Sequence, residues 1–128
     1  MKTPVMLLLT NDSELEELVA DALSEIGGIG HLTRDAGETL QTICAVTDLD
    51  LAIIDFEHGP HGMTLLSAIS ILREDLPLIV ISPDDEQQVE ALAYANGATA
   101  CLSKQAVATQ LAQTIGQLCP ARLEQVFA

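Results

Sequence analysis

Three apolar, strand-like runs of this chain lead to residues that can take part in chemistry. Asp55 and Ser82 each follow directly on four apolar residues, and Lys104 lies two residues beyond the third run. In an open parallel sheet, ligands and reactive groups collect beyond the carboxyl ends of the strands, where loops are free to vary while the strands fix their positions. The spacing therefore predicts one site at which a carboxylate nucleophile, a hydroxyl group and a cation converge.

Strand-like runs alternate with amphipathic helical patterns along the chain. Continuous apolar runs are typical of strands covered on both faces, and apolar residues at every third or fourth position are typical of the covering helices. Asp12 or Ser13 can cap the first helix, and Gly27 with Gly28 can end it. We therefore predict an α/β fold, a three-layer sandwich around a five-stranded parallel sheet. The predicted strands are Val5–Leu9, Ile29–Thr33, Leu51–Asp55, Leu78–Ser82 and Ala100–Leu102.

Composition limits the class of protein. The chain has 128 residues, which fits one domain, and we assign residues 1–120 to that domain and 121–128 to a tail or linker stub. Its formal net charge of -14 repels nucleic acids and anionic membrane surfaces. The apolar run near the start is too short to span a membrane. Three widely spaced cysteines indicate reduced thiols in a cytoplasmic protein.

These features together resemble a response-regulator receiver domain of two-component signalling, over residues 5–118. The phosphoacceptor strand of that family matches the run that ends at Asp55, and its hydroxyl strand matches the run that ends at Ser82. The family's glycine–alanine turn and lysine match Gly97 and Lys104, at intervals of 15 and 22 residues from Ser82. The resemblance implies a flavodoxin-like sheet with the strand order 2-1-3-4-5.

The resemblance also implies a phosphorelay switch. Asp55 would accept a phosphoryl group from a histidine kinase, a phosphotransfer protein or a small phosphodonor, with Lys104 offsetting negative charge. Ser82 would donate a hydrogen bond to the new phosphoryl oxygen and so repack the surrounding surface. Such a domain is a signalling module and not an enzyme, and a downstream protein or output domain would read its surface. We expect a partner or a second copy of the chain to engage the face of the last helix.

The expected metal site departs from the family pattern. Thr10 and Asn11 stand where the family carries a pair of acidic residues, and Asp12 comes one position later. Magnesium requires hard oxygen ligands in near-octahedral geometry, usually with carboxylates among them. The remaining candidate ligands are Asn11, Asp12, Asp55 and a carbonyl near Glu57. We therefore expect magnesium binding to be weak or absent.

The sequence leaves two main functions open. Asp55, Ser82 and Lys104 favour a phosphorylatable receiver that switches through an acyl phosphate. Thr10 and Asn11 favour an atypical receiver that acts as a phosphorylation-independent interaction or dimerisation module. A flavodoxin-like ligand binder is a third and more distant interpretation, because the chain has no glycine-rich phosphate loop.

Overall fold

Five parallel strands and five helices alternate in the computed structural model, which describes residues 3–56, 61–83 and 87–118. The strands are β1 (Val5–Leu9), β2 (Ile29–Thr33), β3 (Leu51–Asp55), β4 (Leu78–Ser82) and β5 (Ala100–Ser103). The helices are α1 (Ser13–Ile26), α2 (Ala36–Ala45), α3 (His61–Leu72), α4 (Gln87–Ala95) and α5 (Lys104–Leu118). The sheet order is β2-β1-β3-β4-β5, so the predicted α/β fold and strand order are confirmed.

The sheet has a hydrophobic core on each face. Every residue of β1, β3 and β4 is buried, as their continuous apolar runs predict. Because successive side chains of a strand point to opposite faces, Leu7 and Leu9 enter one core while Met6 and Leu8 enter the other. The first core contains buried residues of α2, α3 and α4, and the second contains those of α1 and α5. The predicted three-layer sandwich follows from this division.

The ends of α1 agree with the sequence signals. The Asp12 carboxylate accepts hydrogen bonds from the backbone amides of Glu14 and Leu15, at 3.0 and 3.4 Å, and so caps the helix. Gly27 adopts a left-handed conformation with φ of 68°, and its amide bonds to a carbonyl of the last turn. Asp12 is therefore held at a fixed position beside the carboxyl end of β1.

The two edges of the sheet differ from the sequence prediction in detail. β2 is largely exposed, with Leu32 at 42%, because it forms one edge and is incompletely covered. β5 extends to Ser103, and α5 begins at the next residue, so Lys104 belongs to the first turn of a helix.

Some predictions lie outside the described residues. One of them is the proposed boundary between the domain at 1–120 and the tail at 121–128, because the last residue that the structure describes is 118. Within the described part of the chain, each helix is too short or too polar to cross a membrane.

Candidate functional site

Asp55 lies at the carboxyl end of β3, where the sequence predicted it. Its side chain is nonetheless buried, at 1% exposure, which the strand-end position alone did not predict. The hydroxyl group of Thr10 donates a hydrogen bond of 2.7 Å to Asp55 Oδ2. A buried carboxylate is costly unless hydrogen bonds or cations compensate its charge, so this contact holds Asp55 in place.

Thr10 connects Asp55 to the start of α1. It follows β1 directly and is fully buried, at 0% exposure. Besides donating to Asp55, Thr10 Oγ1 accepts a hydrogen bond of 3.0 Å from the backbone amide of Asp12. In the sequence, Thr10 stood out only as the absence of a carboxylate, and its role as a hydrogen-bond donor was not predicted. Its position directly after a buried strand was the signal that could have identified it.

Lys104 lies between two carboxylates. Its Nζ atom is 2.8 Å from Asp12 Oδ2 and 3.9 Å from Asp55 Oδ2, so the closer ion pair is with Asp12. The hydrogen bond from Lys104 holds the pKa of Asp12 below its ordinary value, and the amides of Leu15 and Glu14 contribute while desolvation opposes them. We call Thr10, Asp12, Asp55 and Lys104 the carboxylate pocket.

Ser82 occupies the same edge of the sheet. It is the last residue of β4 and is buried, at 4% exposure. In the strand register, Asp55 stands opposite Ile81, and Ser82 stands opposite Ser103, which directly precedes Lys104. The carboxylate, hydroxyl and ammonium groups predicted from the sequence therefore come from three adjacent strand ends. Chemically, this arrangement combines a nucleophilic oxygen with a hydrogen-bond donor and one positive charge.

Comparison with known proteins identifies the fold. No protein-family model matches the sequence, and no curated protein matches it. A CheY-like response regulator receiver domain protein from Methanospirillum hungatei matches with a TM-score of 0.82 and 19% identity, covering 97% of this chain and 99% of that chain. The signal receiver domain of an HD domain-containing protein from Pseudomonas fluorescens matches with a TM-score of 0.82 and 24% identity, covering 94% and 98%. A response regulator from Thermotoga maritima matches with a TM-score of 0.85 and 17% identity, covering 93% and 99%.

The chain has the receiver fold. The resemblance inferred from strand-end residues is confirmed at the level of architecture, because these matches extend over nearly the whole chain. The carboxylate pocket contains Asp55, the residue for which the sequence resemblance implies phosphoacceptor chemistry. The residues inside the pocket decide which chemistry it can perform.

Two of the predicted magnesium ligands, Asn11 and Asp12, have other partners in the described chain. The Asn11 side-chain amide donates a hydrogen bond of 3.1 Å to the Arg34 carbonyl, and Asp12 is engaged by Lys104 and by the amides of α1. Glu57 lies outside the described residues. Across residues 3–56, 61–83 and 87–118, no three His, Cys, Asp or Glu side chains are grouped to hold a metal ion. This donor set does not fit the carboxylate-rich, octahedral requirement of magnesium.

Arg34 is a second residue that the sequence analysis missed. Its Nη1 atom donates a hydrogen bond of 3.1 Å to the Thr10 carbonyl, and its Nη2 atom lies 3.0 Å from Glu16 Oε2. Arg34 thereby ties the segment after β2 to the turn between β1 and α1. Arg34 is 24 residues from Thr10 in sequence, and no local pattern predicted the contact. Its effect is to hold the backbone from which the Thr10 hydroxyl reaches Asp55.

Proposed function

We propose that this chain is a receiver-type signalling module that binds partner proteins without magnesium-dependent phosphorylation of Asp55. The observation that carries this proposal is the 2.7 Å hydrogen bond from Thr10 to the buried Asp55 carboxylate. A hydroxyl group occupies the position where the resemblance predicts an acidic residue. It satisfies Asp55 directly and leaves one carboxylate fewer for a cation.

The charges of the pocket support the same proposal. Phosphoryl transfer depends on positive charge that neutralises the transferring oxygens and on accurate positioning of the reacting groups. The positive charge of the described pocket is that of Lys104, and its closer partner is Asp12. An incoming phosphoryl group would therefore meet an oxygen already engaged by Thr10 and an ammonium group already shared by two carboxylates.

A second candidate function is phosphoryl acceptance on Asp55. The convergence of Asp55, Ser82 and Lys104 at adjacent strand ends supports it, because these residue types match the phosphoacceptor pattern of the family that the chain resembles. In that case a histidine kinase or phosphotransfer protein would supply the phosphoryl group. Lys104 would have to turn from Asp12 toward the phosphoryl oxygens.

Both candidates require a protein partner or a linked output domain. One structural relative is described as the signal receiver domain of an HD domain-containing protein, so a receiver fold can belong to a protein with another domain. By analogy, we propose that the chain transmits its signal through contact with another protein or domain. The high negative charge of the chain argues against direct contact with nucleic acid.

Intact-mass analysis after incubation with acetyl phosphate, with and without magnesium, tests the proposal. We expect no phosphoryl adduct on the wild-type chain under either condition. The matched control is Asp55→Asn, whose carboxamide oxygen can still accept the Thr10 hydrogen bond and should preserve the fold. A magnesium-dependent adduct that disappears in Asp55→Asn would overturn the proposal and establish the second candidate.

A further inference from the structure

A groove with a volume of about 340 Å³ lies between α1 and the edge strand β2, outside the carboxylate pocket. Met6 and Leu8 of β1 line it from below, and Val19 and Leu23 line it from the side of α1. Gly30 of β2 also lines the groove and has no side chain to fill it. The groove is therefore a concave, mostly apolar surface, which is the type of surface that an apolar side chain can enter.

The two faces of the sheet are covered unequally. Among the described elements, three helices contribute buried residues to one core, whereas α1 and α5 alone contribute them to the other. Strands lie about 4.8 Å apart and packed helices about 10 Å apart, so two helices leave an outer strand of a five-stranded sheet partly uncovered. Leu32 of β2, at 42% exposure, lies in this uncovered region, as does the exposed Ala20 of α1. A third helix laid beside α1 would cover this exposed part of β2.

The charge around the groove indicates the chemistry of its occupant. Glu17 and Asp21 are exposed on α1 and precede the lining residues Ala20 and Ser24 by three positions, which makes them neighbours of those residues on the helix surface. The lysine and arginine side chains of the described chain all have internal partners. Arg34 contacts Glu16 and Thr10, Arg73 contacts carbonyls at the end of α2, and Lys104 contacts Asp12. With a net charge of -14, a second copy of the chain would repel this surface, whereas a basic partner would be attracted.

We propose that the α1–β2 groove binds a basic amphipathic helix of a partner protein. The inference rests on the proposed function and deepens it by naming the class of partner. The lining residues of α1 extend from Glu16 to Ser24, about 12 Å along the helix axis, so the groove accommodates roughly two turns of a partner helix. Apolar side chains three or four residues apart enter beside Gly30, and flanking lysine or arginine side chains pair with Glu17 and Asp21.

This location differs from the face of the last helix, where the sequence analysis placed the partner. In the described part of the chain, large exposed apolar side chains lie on β2, α3 and α4, and none lies on α5. Interfaces depend on a few apolar or aromatic anchors that become fully buried. At the β2 edge of the sheet, a concave groove that can bury such an anchor lies beside acidic side chains.

Nuclear magnetic resonance titration of the ¹⁵N-labelled, unphosphorylated chain tests the inference. The probe is a helix-forming peptide with leucine at every third or fourth position and lysine at the flanking positions. The control peptide has the same composition in scrambled order, which preserves its charge and removes the apolar stripe. We expect the first peptide to shift the amide signals of Ala20, Leu23, Gly30 and Leu32, and the scrambled peptide to bind more weakly.

Matched variants test whether the groove carries the binding. Ala20→Gln places a polar chain in the groove without changing charge, and we expect the Kd to rise about tenfold or more. Ala108→Gln, at an exposed position of α5, should leave the Kd unchanged. Glu17→Gln should raise the Kd about two- to fivefold, whereas Glu90→Gln, with the same charge change on α4, should have no comparable effect.

Three results would overturn the inference. The first is a set of shifted signals on α4 or α5 instead of α1 and β2. The second is equal binding of the scrambled peptide, which would mean general charge attraction. The third is concentration-dependent shifts at the groove without peptide, which would identify a second copy as the occupant. The acetyl phosphate experiment and the peptide titration have independent outcomes. An adduct on Asp55 would overturn the proposed function, whereas failure of the peptide to bind at the groove would overturn only the present inference.

Discussion

The hydrogen bond between Thr10 and Asp55 makes Thr10→Val the most informative single substitution. Valine has nearly the shape of threonine but lacks the hydroxyl group, so the buried Asp55 carboxylate loses the donor that lies 2.7 Å away. A hydrogen bond to a charged group contributes about 1.5–3 kcal/mol. Lys104 Nζ, 3.9 Å from the carboxylate, remains in place in this variant. We therefore expect the free energy of unfolding to fall by about 2–3 kcal/mol.

Urea unfolding followed by far-ultraviolet circular dichroism measures this loss, because the chain has no tryptophan for fluorescence. For small proteins the free energy changes by about 1–3 kcal/mol per molar urea, so the unfolding midpoint should fall by roughly 0.7–3 M. Thr10→Ser is the matched control, since it keeps the hydroxyl and removes one buried methyl group. That substitution should cost about 1 kcal/mol.

A double-mutant cycle with Asp55→Asn separates the hydrogen bond from the packing of Thr10. A bond to the neutral carboxamide is roughly half as strong as one to a carboxylate. Thr10→Val should therefore cost about 1 kcal/mol in the Asp55→Asn background, giving a coupling energy of about 1–2 kcal/mol. A coupling energy near zero, or a smaller loss for Thr10→Val than for Thr10→Ser, would refute the role assigned to the hydroxyl group.

Two further predictions concern the same pocket. Because Lys104 holds the pKa of Asp12 below its ordinary value, Asp12 stabilises the fold at pH values above the unfolded-state pKa, about 3.9, and this stabilisation is lost as the pH falls through the lower folded-state pKa. The difference in unfolding free energy between wild type and Asp12→Asn, which retains a good helix cap, should shrink as the pH falls below about 3.9; a difference that grows in acid would contradict the ion pair. Combining Thr10→Asp with Asn11→Asp should crowd carboxylates around Asp55, lower the thermal midpoint without metal, and make that midpoint rise with added magnesium. Absence of a magnesium response in the double variant would show that more than these two residues separates the pocket from a metal site.

Most of the fold could be predicted from the sequence because its determinants are local. The continuous apolar runs of β1, β3 and β4 required cover on both faces, and Gly27 ended α1 as expected. The order of the strands, by contrast, has no local determinant in the sequence. It came from the family resemblance, since all three central strands are similarly apolar and no local pattern specifies which of them are neighbours.

The site was predicted less completely, for a physical reason. Strand-end positions were enough to bring Asp55, Ser82 and Lys104 to one edge of the sheet. The contacts of Thr10 and Arg34 depend on side-chain directions across segments 45 and 24 residues apart. From its residue type alone, Thr10 could be interpreted only as a position without the expected negative charge. The geometry identifies it as the hydrogen-bond donor that compensates the charge of Asp55.

The charge of the carboxylate pocket connects these observations. If Thr10 were an aspartate, two carboxylates would face each other in a buried site, and their repulsion would favour a divalent cation or a protonated acid. Threonine removes one of these charges and supplies a hydrogen bond instead, so Asp55 has a direct partner that is not a metal ion. Lys104 is likewise satisfied by Asp12. The pocket therefore holds two carboxylates beside one ammonium group, where an aspartate at position 10 would make three. We expect it to gain less from magnesium than a pocket with three carboxylates, and we expect regulation of this receiver fold to depend on the availability of its partner.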